Sequence, residues 1–217
     1  TADALMIARR MVDAACQNEG HGLTLLLLDW AKAFDRLQPD CLYKALARFG
    51  FPPAMVDMIK GIYSRRYFTV VDHCGRSTQR TQQAGIAQGC PLSPYLFIAV
   101  QTVLLHYVFA HLALAEEPDY VATRDILFAD DALFVSSGPG NLKHTLDATV
   151  LEGQKHGLEL NWDKTVQIHI CSQSAIKQPN GEPIRNVREA VYLGGLPTCD
   201  GRACHEVFRR IGESRHM

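Results

Sequence analysis

The feature that most constrains this chain is the run Leu23 to Leu28, apolar at every position but Thr24, which stops at Asp29. An apolar run of this length, without alternation, reads as a central strand buried inside a sheet. Such a strand needs partners. Val121–Phe128 and Ala132–Ser136 are separated only by residues around Ala129-Asp130-Asp131, which is the spacing of a tight antiparallel hairpin with an acidic tip. Val166–Ile170 reads as a further strand.

Helices account for much of the rest. Leu5, Ala8, Val12 and Ala15 recur at helical spacing over Ala2 to Cys16, before the break at Gly20 to Gly22. Pro39 and Asp40 open a helix that Gly50 closes, and Pro52-Pro53 permits another to about Ile62. Tyr67–Val71 and Gln79–Gln83 flank a turn at Gly75. A long apolar helix from Ser93 to Leu114 follows Gly89-Cys90-Pro91, and a helix from about Asn141 to His156 follows the acidic hairpin. A polar hairpin around Pro179-Asn180-Gly181 and a short apolar stretch, Val191–Leu193, come last. With 217 residues, 47% hydrophobic and 21% charged, the chain can bury one good-sized core. The expected class is α+β, one compact domain with an antiparallel sheet packed on helices.

Composition narrows the setting. No unbroken apolar run approaches the roughly 18 residues of a membrane span, so a soluble protein with no membrane partner is expected. Seven cysteines at irregular spacing fit reduced, intracellular thiols better than a disulfide framework. Cys199, Cys204 and His205 are a candidate zinc group but lack a partner pair at knuckle-like spacing, which favours ordinary thiols. The chain begins at Thr1 with no Met and no signal pattern, which predicts a piece of something longer. Its net charge of −1 and pI near 6.7 are a poor match to a protein that grips a polyanion unaided.

The acids are the candidate chemistry. Asp29 ends an apolar strand, while Asp130 and Asp131 tip an apolar hairpin. Singly, each reads as a turn residue bonding its own backbone. If the strands are neighbours, three carboxylates converge, and like charges that close are costly unless a divalent cation neutralises them. Magnesium is the implied occupant, and a carboxylate-held pair of such ions suits the joining of nucleotides.

Asp29-Trp30-Ala31-Lys32-Ala33-Phe34-Asp35 resembles the first palm motif of reverse transcriptases of the LINE and group II intron type. Gly85-Ile86-Ala87-Gln88-Gly89-Cys90-Pro91-Leu92-Ser93-Pro94-Tyr95-Leu96-Phe97 resembles the second. Phe128-Ala129-Asp130-Asp131 is similar to the metal-binding hairpin. Gly157-Leu158-Glu159-Leu160-Asn161 with Lys164-Thr165 resembles the fourth motif, and Tyr192-Leu193-Gly194-Gly195 the primer grip. All five stand in family order and spacing. Taken alone, the fourth would be a helix end feeding a strand and the last a plain turn.

The resemblance implies a polymerase palm with partial fingers over residues 1–217, adding dNTPs to a primer 3′-hydroxyl on an RNA template in retrotransposition. It implies two Mg²⁺ ions, for which Mn²⁺ can substitute, held by Asp29, Asp130 and Asp131 with the Trp30 carbonyl. Lys164 would protonate departing pyrophosphate. Lys32, Ala33 and Phe34, with Gln88 and Gly89, would contact nucleotide and template. Phe34 would exclude a 2′-hydroxyl, its plain alternative being a core phenylalanine. Tyr192, Leu193 and Gly194 would hold the primer end. RNA template, DNA primer, dNTPs and other domains of a parent polyprotein are the implied partners, with a nuclear site of action for a LINE-type element.

The match also has gaps. Basic finger strands usually precede these motifs, a helical thumb and any endonuclease lie elsewhere, and Ala87 stands where a basic residue is common. The isolated chain is therefore expected to be weak or inactive. The competing readings are a non-catalytic nucleic-acid-binding scaffold, a maturase-like domain and an inactive element relic.

Overall fold

The computed structural model describes residues 2–17, 22–114, 123–128, 130–172 and 175–214. Its elements run α1 (Ala2–Gln17), β1 (Leu23–Asp29), α2 (Ala33–Arg36), α3 (Pro39–Phe49), α4 (Pro53–Tyr63), β2 (Tyr67–Phe68), β3 (Val71–Asp72), β4 (Gly75–Arg76), β5 (Arg80–Thr81) and α5 (Ser93–Leu114). There follow β6 (Arg124–Phe128), β7 (Asp131–Ser136), α6 (Pro139–Lys155), β8 (Val166–Ile170), β9 (Arg185–Asn186) and α7 (Cys204–Ser214). The expected strand start at Val121 and Ala122, the break at Gly20 and His21, and Ala129 of the acidic turn lie outside the described residues. The fold is mixed α+β, as expected. Its backbone divides into two compact units, Thr1–Trp30, Leu112–Ala148 and Leu160–Met217 forming the first, Ala31–His111 and Thr149–Glu159 the second.

The first unit is built on a sheet of order β6-β7-β1-β8-β9, antiparallel except for the short parallel pair β8 and β9. β1 is flanked on both sides, with Leu25 opposite Val135 of β7 and Ile168 of β8. That position explains its unbroken leucines. Leu25 and Leu27 join Leu133, Val135, Val166, Ile168 and Ile170 in one core, which Ala8, Val12 and Ala15 of α1 cover. Side chains alternate across a strand, so Asp29 continues the face of Leu25 and Leu27 at the end of that core. On the opposite face the fully buried amide of Gln167 donates to the Ile184 carbonyl at 2.8 Å and accepts from the Ile176 N–H at 3.0 Å, which satisfies a polar group inside the sheet.

In the second unit α3 starts with Pro39 in its first turn and ends at Gly50, whose left-handed backbone (φ 100°) lets its N–H reach the Leu46 and Ala47 carbonyls. Gly85 (φ 87°) packs its bare Cα against the Phe34 and Asp35 carbonyls, and its N–H donates to the Leu37 carbonyl at 2.8 Å. A Cβ there would come within 2.6 Å of the Asp35 carbonyl oxygen, so this contact requires glycine.

Among the longer helices, two differ from the sequence reading. The stretch Ser93–Ala113 of α5 is long and apolar enough to cross a membrane, with a mean hydropathy of 1.7, and half of it is buried within the protein. Gln101, Thr102 and His106 interrupt its apolar runs without lowering the average, so counting unbroken residues misses it. Leu96, Phe97, Val100, Leu104 and Val108 are fully buried, as in a core helix. The other is α7, unexpected from sequence, a helix with no buried residue. Ion pairs at helical spacing hold it: Arg209 with Glu206 and Glu213, and Arg210 with Glu206. Hydrogen bonds from Arg209 and Arg210 bring the Glu206 carboxyl down to about 2.

Candidate active site

Within the first unit, Asp29 and Asp131 are register partners across β1 and β7, so the end of the sheet carries two opposed carboxylates. Phe128 pairs with Asp131, and Asp130, the residue before it, adds a third carboxylate whose charge acts on Asp131. Asp131 feels the crowding. Burial raises its pKa most, the charges of Asp130 and Asp29 raise it further, and Lys164 works against them. Lys164 reaches Asp29 with its ammonium 3.5 Å from Oδ2, and remains largely in solvent.

The backbone holds the first acid rigidly. The Asn161 N–H donates to the Asp29 carbonyl at 2.8 Å, Leu160 pairs with Trp30, and in turn the Lys164 and Thr165 N–H groups donate to the Asn161 carbonyl. The segment that resembles the fourth motif is therefore more than a helix end feeding a strand. It fastens the strand end that carries Asp29 and sets Lys164 beside it. Neither bond flanking the Trp30–Leu160 pair uses the Trp30 carbonyl.

Tyr192 stands on the same side. Its ring is buried in the core that α1 covers, and its hydroxyl donates to the Ile126 carbonyl on β6 at 3.0 Å. Burial, with the nearby Asp131 charge, pushes its pKa far up. Tyr192 and Gly195 exchange backbone hydrogen bonds of 2.8 and 2.9 Å around Leu193 (φ 50°) and Gly194 (φ 80°), a two-residue turn with both central residues left-handed. Arg209 of α7 donates to the Gly194 carbonyl at 2.7 Å and Arg210 at 3.3 Å. Asp29, Asp131, Lys164 and Tyr192 line one cavity of about 330 Å³.

In the second unit, Phe34, Gln88 and Gly89 line a separate cavity of about 500 Å³. Phe34 is half-buried and stacks on Phe97 at a centroid distance of 5.1 Å, so it is both packed and accessible. The Gln88 amide donates to Asp35 Oδ1 at 3.0 Å. Lys32 is left-handed (φ 53°) and caps α2, and Ala33 is buried; neither lines that cavity.

The donor set at the sheet end is all oxygen, the preference of a hard divalent cation. No group of three or more His, Cys, Asp or Glu side chains is gathered closely enough to hold an ion among the described residues. Two of the three acids lie in register, and burial first, then the charges of Asp130 and Asp29, raise the Asp131 carboxyl; a cation would offset that repulsion, so the donor chemistry suits such an ion. Sequence reasoning missed Asp35 and Arg209. Asp35 stood inside a recognised string but only the fold brings it to Gln88, and Arg209 lay among Val207, Phe208 and Ile211, a short helical spacing that was not read as a helix. His205 pairs with Glu189 at 3.1 Å and Asp200 at 3.5 Å.

A family model described as reverse transcriptase (RNA-dependent DNA polymerase) matches residues 3–195. The chain is 27% identical over 183 residues to a retrovirus-related Pol polyprotein from the type-1 retrotransposable element R2 of Popillia japonica, covering 83% of this chain and 30% of that protein. It is 30% identical over 176 residues to the RNA-directed DNA polymerase from mobile element jockey of Drosophila funebris, covering 77% and 19%. The chain thus spans less than a third of these relatives. Among solved structures, the C-terminally truncated apo telomerase of Candida tropicalis aligns with a TM-score of 0.66 at 16% identity, over 93% of this chain and 39% of that one. The RNA-dependent RNA polymerase of a human picobirnavirus aligns with a TM-score of 0.50 at 17% identity, over 89% and 33%. Both likenesses concern the fold.

Proposed function

The chain belongs to the reverse transcriptase (RNA-dependent DNA polymerase) family, with relatives among the polyproteins of non-LTR retrotransposons, and on that premise we propose that it is the nucleotidyl-transferring core of an RNA-directed DNA polymerase. The observation that carries this reading is the in-register pair Asp29 and Asp131 beside Asp130 at one end of a buried sheet. Residues 1–217 are read as palm with part of the fingers. The parent protein's template is RNA, its primer DNA and its substrates dNTPs, and its site of action is the nucleus.

Asp29, Asp130 and Asp131, with the Trp30 carbonyl, would hold two Mg²⁺ ions. When bound, these lower the pKa of the attacking 3′-hydroxyl and stabilise charge on the phosphoryl group being transferred. The chain's own groups do the rest. The bonds from Asn161 and the Leu160 pairing keep Asp29 from shifting during turnover. Lys164, which lines the cavity and is largely exposed, donates its Nζ proton to the departing pyrophosphate oxygen. Asp35 fixes the Gln88 amide by accepting one of its protons, which leaves the rest of that amide to face template and nucleotide. Phe34, backed by Phe97, presents a ring that cannot give way to a 2′-hydroxyl. The left-handed turn at Leu193 and Gly194, pinned by Tyr192 and Arg209, receives the primer end.

The test is Mg²⁺-dependent dNTP incorporation on a primed RNA template, with Asp130→Ala and Asp29→Ala beside the native chain, each joined to the flanking segments of its parent. Incorporation lost in both variants upholds the reading. RNA binding without incorporation by the native protein overturns it in favour of a non-catalytic scaffold.

A further inference from the structure

Every residue from Tyr67 to Thr81 is exposed. Among them are side chains that water tolerates poorly: Tyr67 is 56% exposed, Phe68 47%, Val70 56% and Val71 65%. Apolar side chains this open, gathered on one short hairpin, mark an interaction site.

The charges identify the kind of partner. From Arg65 to Arg80 the chain carries Arg65, Arg66, Arg76, Arg80 and His73 against the single acid Asp72, although the whole chain has a net charge of −1. Asp72 is engaged locally, its Oδ1 accepting from the Cys74 N–H at 2.8 Å. Arg66 lies over the Tyr63 ring at 5.0 Å. The side chains of Arg65, Arg76 and Arg80 have no ion pair or hydrogen bond among the described residues.

The backbone arranges these groups. Tyr67 pairs with Thr81 and Phe68 with Arg80, whereas Val71 pairs with Arg76 and Asp72 with Gly75. Two residues separate the ladders on the outgoing strand and three on the return, which is a bulge at Ser77 to Gln79. The Ser77 hydroxyl and N–H both bond Val70 across it. Cross-strand partners share a face, so Phe68 and Arg80 form an aromatic and guanidinium pair on one side, with Tyr67 on the other. The twist of a bulge and ladders only two residues long make a poor template for an added strand, which argues against a protein partner docking by strand pairing.

We propose that the hairpin formed by residues 65–81 is a binding site for single-stranded RNA, with Arg65, Arg76 and Arg80 on phosphates and the rings of Tyr67 and Phe68, on opposite faces of the ribbon, each stacked on an unpaired base. Aromatic platforms beside cations are the means by which proteins hold unpaired strands without reading their sequence. The choice of RNA over DNA rests on the polymerase reading above, in which the template is RNA.

The experiment is fluorescence anisotropy of a labelled single-stranded oligouridylate with the full chain across a KCl series, without nucleotide. Replacing the arginines together (Arg65→Ser, Arg76→Ser, Arg80→Ser) should reduce the slope of log affinity against log salt by about 2, three phosphate contacts at roughly 0.7 each. The pair Tyr67→Ala and Phe68→Ala should lower affinity on the order of tenfold or more with the slope unchanged. Far-UV circular dichroism should not move, because each of these side chains is exposed. Unaltered affinity and slope in both sets overturn the proposal and leave the surface to a protein partner. A photo-crosslinking amino acid at position 67 should label the RNA strand of a primed template, and labelling of the DNA strand also overturns it. Loss of RNA affinity in the arginine variant, with no dNTP incorporation by the native chain joined to its parent's flanking segments, would uphold the hairpin while refuting the polymerase reading.

Discussion

Replacing Asp131 with asparagine should make the metal-free protein more stable while impairing it as an enzyme. Antiparallel partners stand about 4.5–5.5 Å apart at Cα, so the Asp29 and Asp131 carboxylates repel at about 5 Å. Two unit charges at that distance cost roughly 3 kcal/mol at an effective dielectric of 20 and under about 1 kcal/mol in water. Asp131 is half-buried, Asp130 adds repulsion and Lys164 offsets part of it, which leaves about 1 kcal/mol to be recovered by Asp131→Asn. Its carboxylate accepts no hydrogen bond among the described residues, so little is lost in exchange. At this chain length the gain is about 2–4 °C in Tm. The sign with pH follows from the raised carboxyl: the penalty exists only when Asp131 is ionised, so the advantage of the variant is full near neutrality. It fades as pH falls through the raised pKa toward the ordinary carboxylate value of about 3.9. Differential scanning calorimetry in EDTA measures this, and Mg²⁺ should then stabilise the native protein more than the variant. An Asp131→Asn protein that melts at or below the native temperature in EDTA at pH 7 would refute the argument from crowded charge.

Tyr192→Phe leaves the Ile126 carbonyl without its donor and should cost about 1 kcal/mol in urea denaturation. The native protein should lose stability more steeply than this variant as pH rises above about 10, because a raised phenol pKa withdraws its contribution in alkali. Gly85→Ala, with its Cβ against the Phe34 and Asp35 carbonyls and a left-handed backbone, should destabilise by about 2–4 kcal/mol; a native melting curve would show that this approach is not tight. Lys164→Gln should slow single-turnover incorporation by roughly a hundredfold or more with dNTP affinity little changed, and an unchanged rate would remove Lys164 from proton transfer. Arg209→Ala should raise the apparent KM for primer without changing that for dNTP, and equal effects on both would mean that Arg209 merely supports the fold.

The legible parts of the fold were those with sharp local punctuation. Pro39 and Gly50 bracket α3, Pro91 and the largely apolar stretch beyond it announce α5, and the alternation in Val166–Ile170 marks β8. The four-residue α2 was not legible, because it depends on Lys32 taking a left-handed backbone. Nor was α7, whose stabilisation is ionic. In the site, Asp29 and Asp131 could be named from their positions at strand ends, but their register could not, since it is set by the leucine side chains between them. The bonds from Gln88 to Asp35 and from Arg209 to Gly194 join positions far apart in sequence, and no local pattern marks them.

The central place of β1 has a cost during synthesis. Leu25 lies near the start of the chain, and its neighbours in the sheet, Val135 and Ile168, come late. As the chain leaves the ribosome in order, its most apolar strand emerges long before either flank exists to cover it. The second unit is interrupted too, since Thr149–Glu159 must return to it after β7 has been made. Pairings at such separation close slowly, and an uncovered run of leucines is a site for self-association meanwhile. Yield on expression should therefore depend on the rate of elongation and on chaperones that shield Leu23–Leu28, independently of how stable the finished protein is.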